Sequence, residues 1–435
     1  MSAPLRRVAL VAAHFVPSNL ASVHRARLWS LHLREFGWEP IIVTTHWDYY
    51  EEQIEPELME LLPGDLRVIR TRAFRTRPIR IVGDVGLRGF LWHYWALCEL
   101  ARSKSIDFVH ITIPSNFSAL LGRLVARKTG VPYGIDYIDP WVHQFPGSDQ
   151  PFTKAWASAR LADRLEPWAV CDASLITGIN RRYYEGVLER NPRLAQRAIF
   201  AEMPYGGSEA DHDYVRQHPR EPYLFEGHGN KFALIYAGAM LPKAYEVLDR
   251  LLESLVLLKK KQPRLAETFH LYFVGTGKSP DDSEGCKIRS TIQRHNLQDC
   301  ISEHPQRMPY LDVLNHLHAA SGVLVLGSTE PHYSPSKLFQ SVMSRRPVFA
   351  LLHEESTAAP LLRACKAGPV LTLRECALPT AETVAAVLER FIHMNKDGAS
   401  QVQWDAFKRY SARESARTLA AALDEAIARN MRLTK

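Results

Sequence analysis

At 435 residues, 46% of them hydrophobic, the chain is too long for one ordinary core and predicts two globular domains. Its formal charge of +7 is moderate, its apolar content excludes disorder, and no uninterrupted apolar stretch reaches the length of a bilayer span. Six cysteines without a CxxC pair, and eighteen histidines without HExxH or finger-like spacing, argue against a disulfide framework and a structural metal. Isolated thiols in a reducing, cytoplasmic compartment are expected instead, because the apolar run VALVAA is also too short for a signal peptide.

From the N-terminus, RVALVAA reads as a strand, SVHRARLWSLHLREFG as a helix closed by Gly37, and EPIIVTT as the next strand, a βαβ unit. The first strand-to-helix loop, FVPSNLAS, contains Asn19 and ends on Ser22, a candidate helix cap whose neighbouring N–H groups could face an anion. Arg25 and Arg27 follow one turn later, where they reach an acceptor or a phosphate, or are simply solvated. Between Arg67 and Arg88 stand seven arginines against one acid, Asp84, and GFLWHYW follows at once. Basic residues beside clustered aromatics suit an anionic membrane surface. An arginine loop beside a core helix of Phe90, Leu91, Trp92, Tyr94 and Trp95 suits the pattern equally. No motif supports nucleic-acid binding.

The alternation continues through IDFVHIT, a helix over SNFSALLGRLVARKTG, PYGIDYI, a helix near FTKAWASARLADRLEPWAV, and ASLITG. Short apolar strands without polar alternation suit a parallel sheet covered on both faces. In IDYIDPW, Asp136 and Asp139 come near a strand end, and Pro140 keeps Asp139 out of helical geometry; they orient a hydroxyl or make an Asx-turn. The Gly-, Pro- and charge-rich stretch after Glu202 breaks the pattern and predicts a linker over 206–231 between a first domain, 1–205, and a second, 232–400. A helical segment over 401–435 is expected to pack back toward the first domain. The second series runs KFALIYAGAM, AYEVLDRLLESLVLLKKK, FHLYFVGTG, DCISEHP, a helix from Tyr310, GVLVLG, a further helix and PVFALL. The fold class is therefore α/β, two doubly wound Rossmann-like domains facing each other across a cleft, with ligands beyond the carboxyl ends of the strands.

Residues at those strand ends are the candidates for chemistry. VGTG brings Gly275 and Gly277, and YAGAMLPK brings Gly238 and Lys243; each pattern fits a phosphate or a plain turn. HYSPSKLFQSVMSRRP is more pointed. Ser334 is a good N-cap, Pro335 suits the first helical position, and Leu338, Phe339, Val342 and Met343 recur at helical spacing. Lys337 then falls in the first turn, where the helix dipole disfavours a cation by about 0.3–1 kcal/mol unless an anion shares the site. Gln340, three residues on, shares its face. A diphosphate accepting from the helix terminus and Lys337, with Gln340 on an adjoining sugar hydroxyl, accounts for the combination. PDDSEG at 280–285 reads as a solvated turn.

Taken together, these segments resemble GT-B glycosyltransferases over nearly the whole chain, most closely the retaining, nucleotide-sugar-dependent family 4 enzymes. LASVHRARLWSLHLREFGWEPIIVTT is similar to the family's opening loop, first helix and second strand, and IDFVHIT, with His110, to its DVVHAH. CDASLITGINRRYYEGVL resembles the exit from the first domain and MPYGGSEADHDY the linker PNGVDxxxF. VGTG and FQSVMSRRPVFA stand for VGxG and LEAMAxGxPVV. Departures are equally visible. His332 and Gln340 occupy the places of the family's paired glutamates, with Glu330 off the spacing; the paired Arg and Lys become Ala239 and Lys243, so Lys337, in an SK turn, is the compensating cation; and the double glycine of the first loop is missing.

The resemblance implies transfer of a hexosyl-type sugar from a nucleotide diphosphosugar to an acceptor hydroxyl with retention, without a protein nucleophile, metal or permanently bound cofactor. Lys337, Asp139 and His332 are its candidate catalytic residues. Gly238, Lys243, Gly275, Gly277, Ser334, Ser336, Lys337, Leu338 and Gln340 are candidates for the donor. Asn19, Ser22, Arg25 and His110 are candidates for the acceptor or cleft loop. The implied acceptor is a glycan or lipid-linked glycan in cell-surface polysaccharide or glycoconjugate synthesis, reached from the cytoplasm, with peripheral contact to the inner membrane face through 67–95. A sugar-nucleotide epimerase of the same fold, a non-catalytic relative and a membrane-surface adaptor are the alternatives.

Overall fold

The computed structural model describes residues 4–78, 82–143, 147–226, 229, 231–277, 288–330, 335, 337–374, 377–395 and 401–433. The chain divides into two compact units, Met1–Gly206 with Ala412–Lys435, and Gly207–Ser411. Each is a doubly wound parallel sheet with helices around it, as the alternating pattern predicts.

The first unit holds seven strands, β1 (Arg6–Val11), β2 (Trp38–Thr45), β3 (Arg67–Thr71), β4 (Phe108–Ile113), β5 (Tyr133–Tyr137), β6 (Leu175–Gly178) and β7 (Ile199–Glu202). Their order is β3-β2-β1-β4-β5-β6-β7, so the winding reverses between β1 and β4, the switch point of an open α/β sheet. All residues of β4 and β5 are buried, which is why those strands read as unbroken apolar runs. The Ala21–His32 helix follows β1; Leu20, not Ser22, stands at its cap position, and no side-chain bond caps it. Ser22 lies inside the first turn, a correction to its predicted role. Gly37 closes the segment at φ +86, a left-handed conformation open to glycine.

The second unit holds β8 (Phe232–Ala237), β9 (Phe269–Val274), β10 (Ile301–His304), β11 (Gly322–Leu326), β12 (Val348–His353) and β13 (Val370–Leu373), in the order β10-β9-β8-β11-β12-β13. The stretch predicted as a linker is more than a linker. It includes the Glu209–Gln217 helix, capped by Ser208, whose Asp211 accepts a 2.7 Å hydrogen bond from the Tyr310 hydroxyl, and Arg220 pairs with Asp312 at 2.9 Å. Those anchors make it part of the second unit. At the far end, the Ala412–Leu433 helix packs on the Ala21–His32 helix in the first unit, where Trp29 Nε1 donates to Ser415 Oγ at 2.9 Å.

One charged pair organises the first unit. Arg25 is wholly buried and donates to both carboxylate oxygens of Asp136 at 2.9 Å, to Pro204 O at 2.9 Å and to Met203 O. Thr177 Oγ1 donates to the same carboxylate at 2.6 Å, and the guanidinium lies 4.6 Å from the Trp29 ring. Burial alone would raise the Asp136 pKa, but Arg25 outweighs it and holds the carboxyl below its ordinary value. Arg25, expected at the acceptor, is therefore a structural cation. Removing one partner leaves the other charge buried and unpaired, so Arg25→Met or Asp136→Asn should each cost about 3–5 kcal/mol in urea unfolding. A loss below about 1 kcal/mol in both would show that the pair is dispensable.

Candidate functional site

Within the second unit, the loops after β8 and β9 run side by side. Gly238 N donates to Val274 O at 2.9 Å, and Met240 N to Thr276 O at 3.2 Å. Gly275 adopts φ +68 and donates to His304 O at 2.8 Å, while Gly277 donates to Pro305 O at 3.0 Å. Thr276, buried between them, donates to Glu303 at 2.7 Å. VGTG is therefore a locked turn in which Gly275 is required by its backbone conformation.

Lys337 reaches this place from the opposite side of the switch point. A Cβ built on Gly238 would lie 3.9 Å from Lys337 Cδ, so the lysine stem passes along the glycine, and the residue is exposed. Lys243, also exposed, sits 3.6 Å from Glu330 Oε1, and its carbonyl accepts from Thr329 N at 3.1 Å. Glu330 thus serves the lysine after β8. The helix predicted from Ser334 spans only Leu338–Met343, with Lys337 at the cap position rather than in the first turn; Leu338, Phe339, Val342 and Met343 are all buried, as their spacing predicts. Leu338 is accordingly a core side chain. His332, Ser334 and Ser336 lie outside the described residues.

Gln340 has a partner that the sequence did not announce. His212, fully buried on the Glu209–Gln217 helix, places Nε2 at 2.7 Å from Gln340 Oε1 and Nδ1 at 2.8 Å from His318 Nε2. Burial pushes His212 down to about 4 and His318 to about 3, so both rings are neutral near pH 7. A neutral ring has one donor and one acceptor nitrogen. His212 therefore donates to the Gln340 oxygen and accepts from His318. The Gln340 carbonyl, expected on a sugar hydroxyl, is already engaged, and the amide turns its nitrogen away from His212.

In the first unit the predicted residues separate. His110, in β4, is completely buried, pushed down to about 4 by burial, and bonded to Thr177 at 3.3 Å beside Asp136; it is core, not loop. Asp139, just beyond β5, is exposed, although its crowded surroundings raise its carboxyl above the usual range. Asn19 is held by Glu55 at 2.7 Å and His24 at 3.0 Å. The same loop contains a cluster missed in the sequence, in which Glu52 accepts from Ser18 at 2.6 Å and pairs with His14 Nδ1 at 2.7 Å. Burial favours the protonated carboxyl, but these partners prevail and hold it at about 2. The acidic run Glu51–Glu57 was its only local signal. Among the described residues no group of three or more acidic, cysteine or histidine side chains is placed to hold a metal ion.

Three buried histidines and the half-buried His318 make acid stability predictable. His93, His110 and His212 lie at about 4 and His318 at about 3, whereas an unfolded histidine titrates near about 6.5. The unfolded chain takes up protons that the fold refuses, so their contribution is complete above about pH 6.5 and falls as pH drops toward about 4. Melting temperature should decline across that window. A flat profile between about pH 6.5 and 5 would contradict the neutral, buried assignment.

Comparison with known proteins adds to this geometry. Residues 21–201 match the family model described as a glycosyl transferase 4-like domain. No curated protein matches by sequence. Among solved structures, Anabaena HepE in complex with UDP and glucose is 13% identical at a TM-score of 0.60, covering 97% of this chain and 100% of its own. The α,α-trehalose 6-phosphate synthase of Burkholderia multivorans is 12% identical at 0.63, covering 100% and 99%. A putative UDP-N-acetylglucosamine 2-epimerase from Listeria monocytogenes is 14% identical at 0.53, covering 97% and 96%. Residues 21–201 thus match a glycosyl transferase 4-like domain, in a chain whose two parallel sheets share the GT-B fold of these solved structures.

Proposed function

We propose that the protein transfers a sugar from a nucleotide diphosphosugar, bound by the second unit, to an acceptor hydroxyl bound by the first. The observation that carries this reading is the passage of Lys337 along Gly238 at the ends of β8 and β11, where a diphosphate meets an ammonium and a backbone without a side chain in the way. Charge develops on the departing diphosphate, and a preorganised cation stabilises it. Gly275 and Gly277 allow close backbone approach. The glycosyl transferase 4-like domain and the UDP and glucose of the HepE complex support a UDP-sugar donor.

The finer reading follows the family resemblance. The sugar is of the hexosyl type, its configuration is retained, and the acceptor is a glycan or lipid-linked glycan of surface polysaccharide or glycoconjugate synthesis. Asp139 is the exposed acid available to orient the acceptor. A lipid-linked acceptor would make an anionic membrane surface the third partner and place the protein on the cytoplasmic face. The Listeria neighbour keeps an epimerase as the second reading.

A thermal-shift panel of nucleoside diphosphates and their sugars tests the donor, because a ligand at about 100 times its dissociation constant stabilises by about 2.7 kcal/mol. Sugar released or transferred without epimerised product supports the transferase, and epimerised product assigns the alternative. Lys337→Ala should weaken nucleoside diphosphate binding by roughly 1.5–3 kcal/mol in calorimetry, and unchanged affinity would remove the lysine from the site. Gln340→Glu should preserve donor binding while the new carboxylate beside His212 raises that imidazole from about 4, a shift readable by NMR titration. Steep loss of affinity would show that position 340 does not correspond to the family acid.

A further inference from the structure

Three elements of the first unit assemble an outward face that the core does not use. The Val85–Arg102 helix is capped by Asp84, whose carboxylate accepts from Leu87 N at 2.6 Å and from Ser115 Oγ at 2.6 Å. Arg88, buried in its first turn, donates to Phe74 O at 2.8 Å and Tyr49 O at 2.9 Å, and Phe74 N returns a bond to Arg88 O at 3.1 Å. The segment after β3 is thereby fastened to the helix. Its ring points out: Phe74 is 59% exposed, beside Trp95 at 57% and Leu91 at 45%. Trp92 bridges them edge to face, 4.9 Å from Phe74 and 6.2 Å from Trp95.

The arginines of this region divide by what they touch. Arg70 lies 4.3 Å from the Trp47 ring and donates to Val16 O at 2.9 Å, so it is structural, as is Arg88. Arg72, Arg75 and Arg77 are exposed on the segment that carries Phe74, and the Arg75 guanidinium lies 5.9 Å from the Tyr49 ring. Along the helix beyond Trp95, the outward residues are Glu99 and Arg102, one of each sign. Three exposed arginines thus flank the protruding Phe74 ring, and the exposed acids Asp48 and Glu51 stand on either side of Tyr49, which Arg88 and Arg75 contact. No helix among the described residues is long and apolar enough to cross a membrane.

We propose that Phe74, Leu91, Trp92 and Trp95, with Arg72, Arg75 and Arg77, form a docking face for an anionic lipid bilayer. The rings enter the headgroup boundary and the arginines meet lipid phosphates, two contributions that reinforce each other because Arg88 fastens the Phe74 segment to the helix that carries Leu91, Trp92 and Trp95. The inference deepens the lipid-linked acceptor reading and rests on it for its biological sense, but not for its test. It also sharpens the sequence expectation, since only part of the arginine run is available to a membrane.

Co-sedimentation with neutral phosphatidylcholine vesicles and with vesicles containing phosphatidylglycerol provides that test. The protein should pellet with the anionic vesicles and be released as salt rises, since screening at physiological ionic strength already acts over about 8 Å. Arg72→Ser with Arg75→Ser and Arg77→Ser should reduce partitioning by about tenfold or more, and Phe74→Ser with Trp95→Ser should reduce it even at low salt. Retention of the nucleotide thermal shift in both variants would show that they fold. Equal pelleting with neutral and anionic vesicles, or binding unchanged by both sets of substitutions, would overturn the proposal. Self-association of the wild type that is abolished by Phe74→Ser with Trp95→Ser, without vesicle binding, would also overturn it and give the face to a second copy of the chain. Failure of nucleotides to bind would instead count against the donor reading and leave the vesicle result standing.

Discussion

The buried contact between Arg25 and Asp136 is the constraint on which the first unit turns. Two charges inside a sheet cover are costly unless nearly all their hydrogen-bonding capacity is met, and here the guanidinium spans a carboxylate and two backbone carbonyls. Those partners belong to the first helix, to β5 and to the chain leaving β7. The pair therefore fixes where three segments lie relative to one another, and with them the loop after β1. Thr177 and His110 extend the network to β6 and β4, with His110 kept neutral by burial. An arginine that looked available for ligands is instead the reason that the surrounding loops have defined positions.

The second unit uses a different principle around Gln340. Its direct supports are neutral: two imidazoles and an amide joined by short hydrogen bonds. Fixed dipoles hold geometry without adding field of their own sign. The lysines stand outside it, with Lys243 near Glu330 and Lys337 along Gly238. This separation lets the shape of the site and its charge vary independently.

What the sequence disclosed follows from distance along the chain. The parallel strands were legible because burial on both faces leaves a local apolar signature, and Leu338, Phe339, Val342 and Met343 were legible because helical periodicity is local. Arg25 and Asp136 lie 111 positions apart, and His212 and Gln340 lie 128 apart. No pattern of neighbours announces such pairings. The same reason explains the linker: its composition reads as loop, but Asp211 finds Tyr310, and the bond makes a helix anchor of an apparently irregular stretch. Helix starts fail on a finer scale, since Ser22 is a chemically suitable cap that the backbone passes by one residue into the turn.

The Ala412–Leu433 helix sets an order of events during synthesis. It supplies the partner of Trp29 and the cover of the Ala21–His32 helix, yet the ribosome makes it only after the entire Gly207–Ser411 unit. Domains generally fold as they emerge, the earlier before the later. Here the later-made unit is contiguous and can close by itself, while the earlier one waits with an apolar helix face uncovered. The chain is thus a domain inserted within a domain, whose first unit is complete only when synthesis has passed the second.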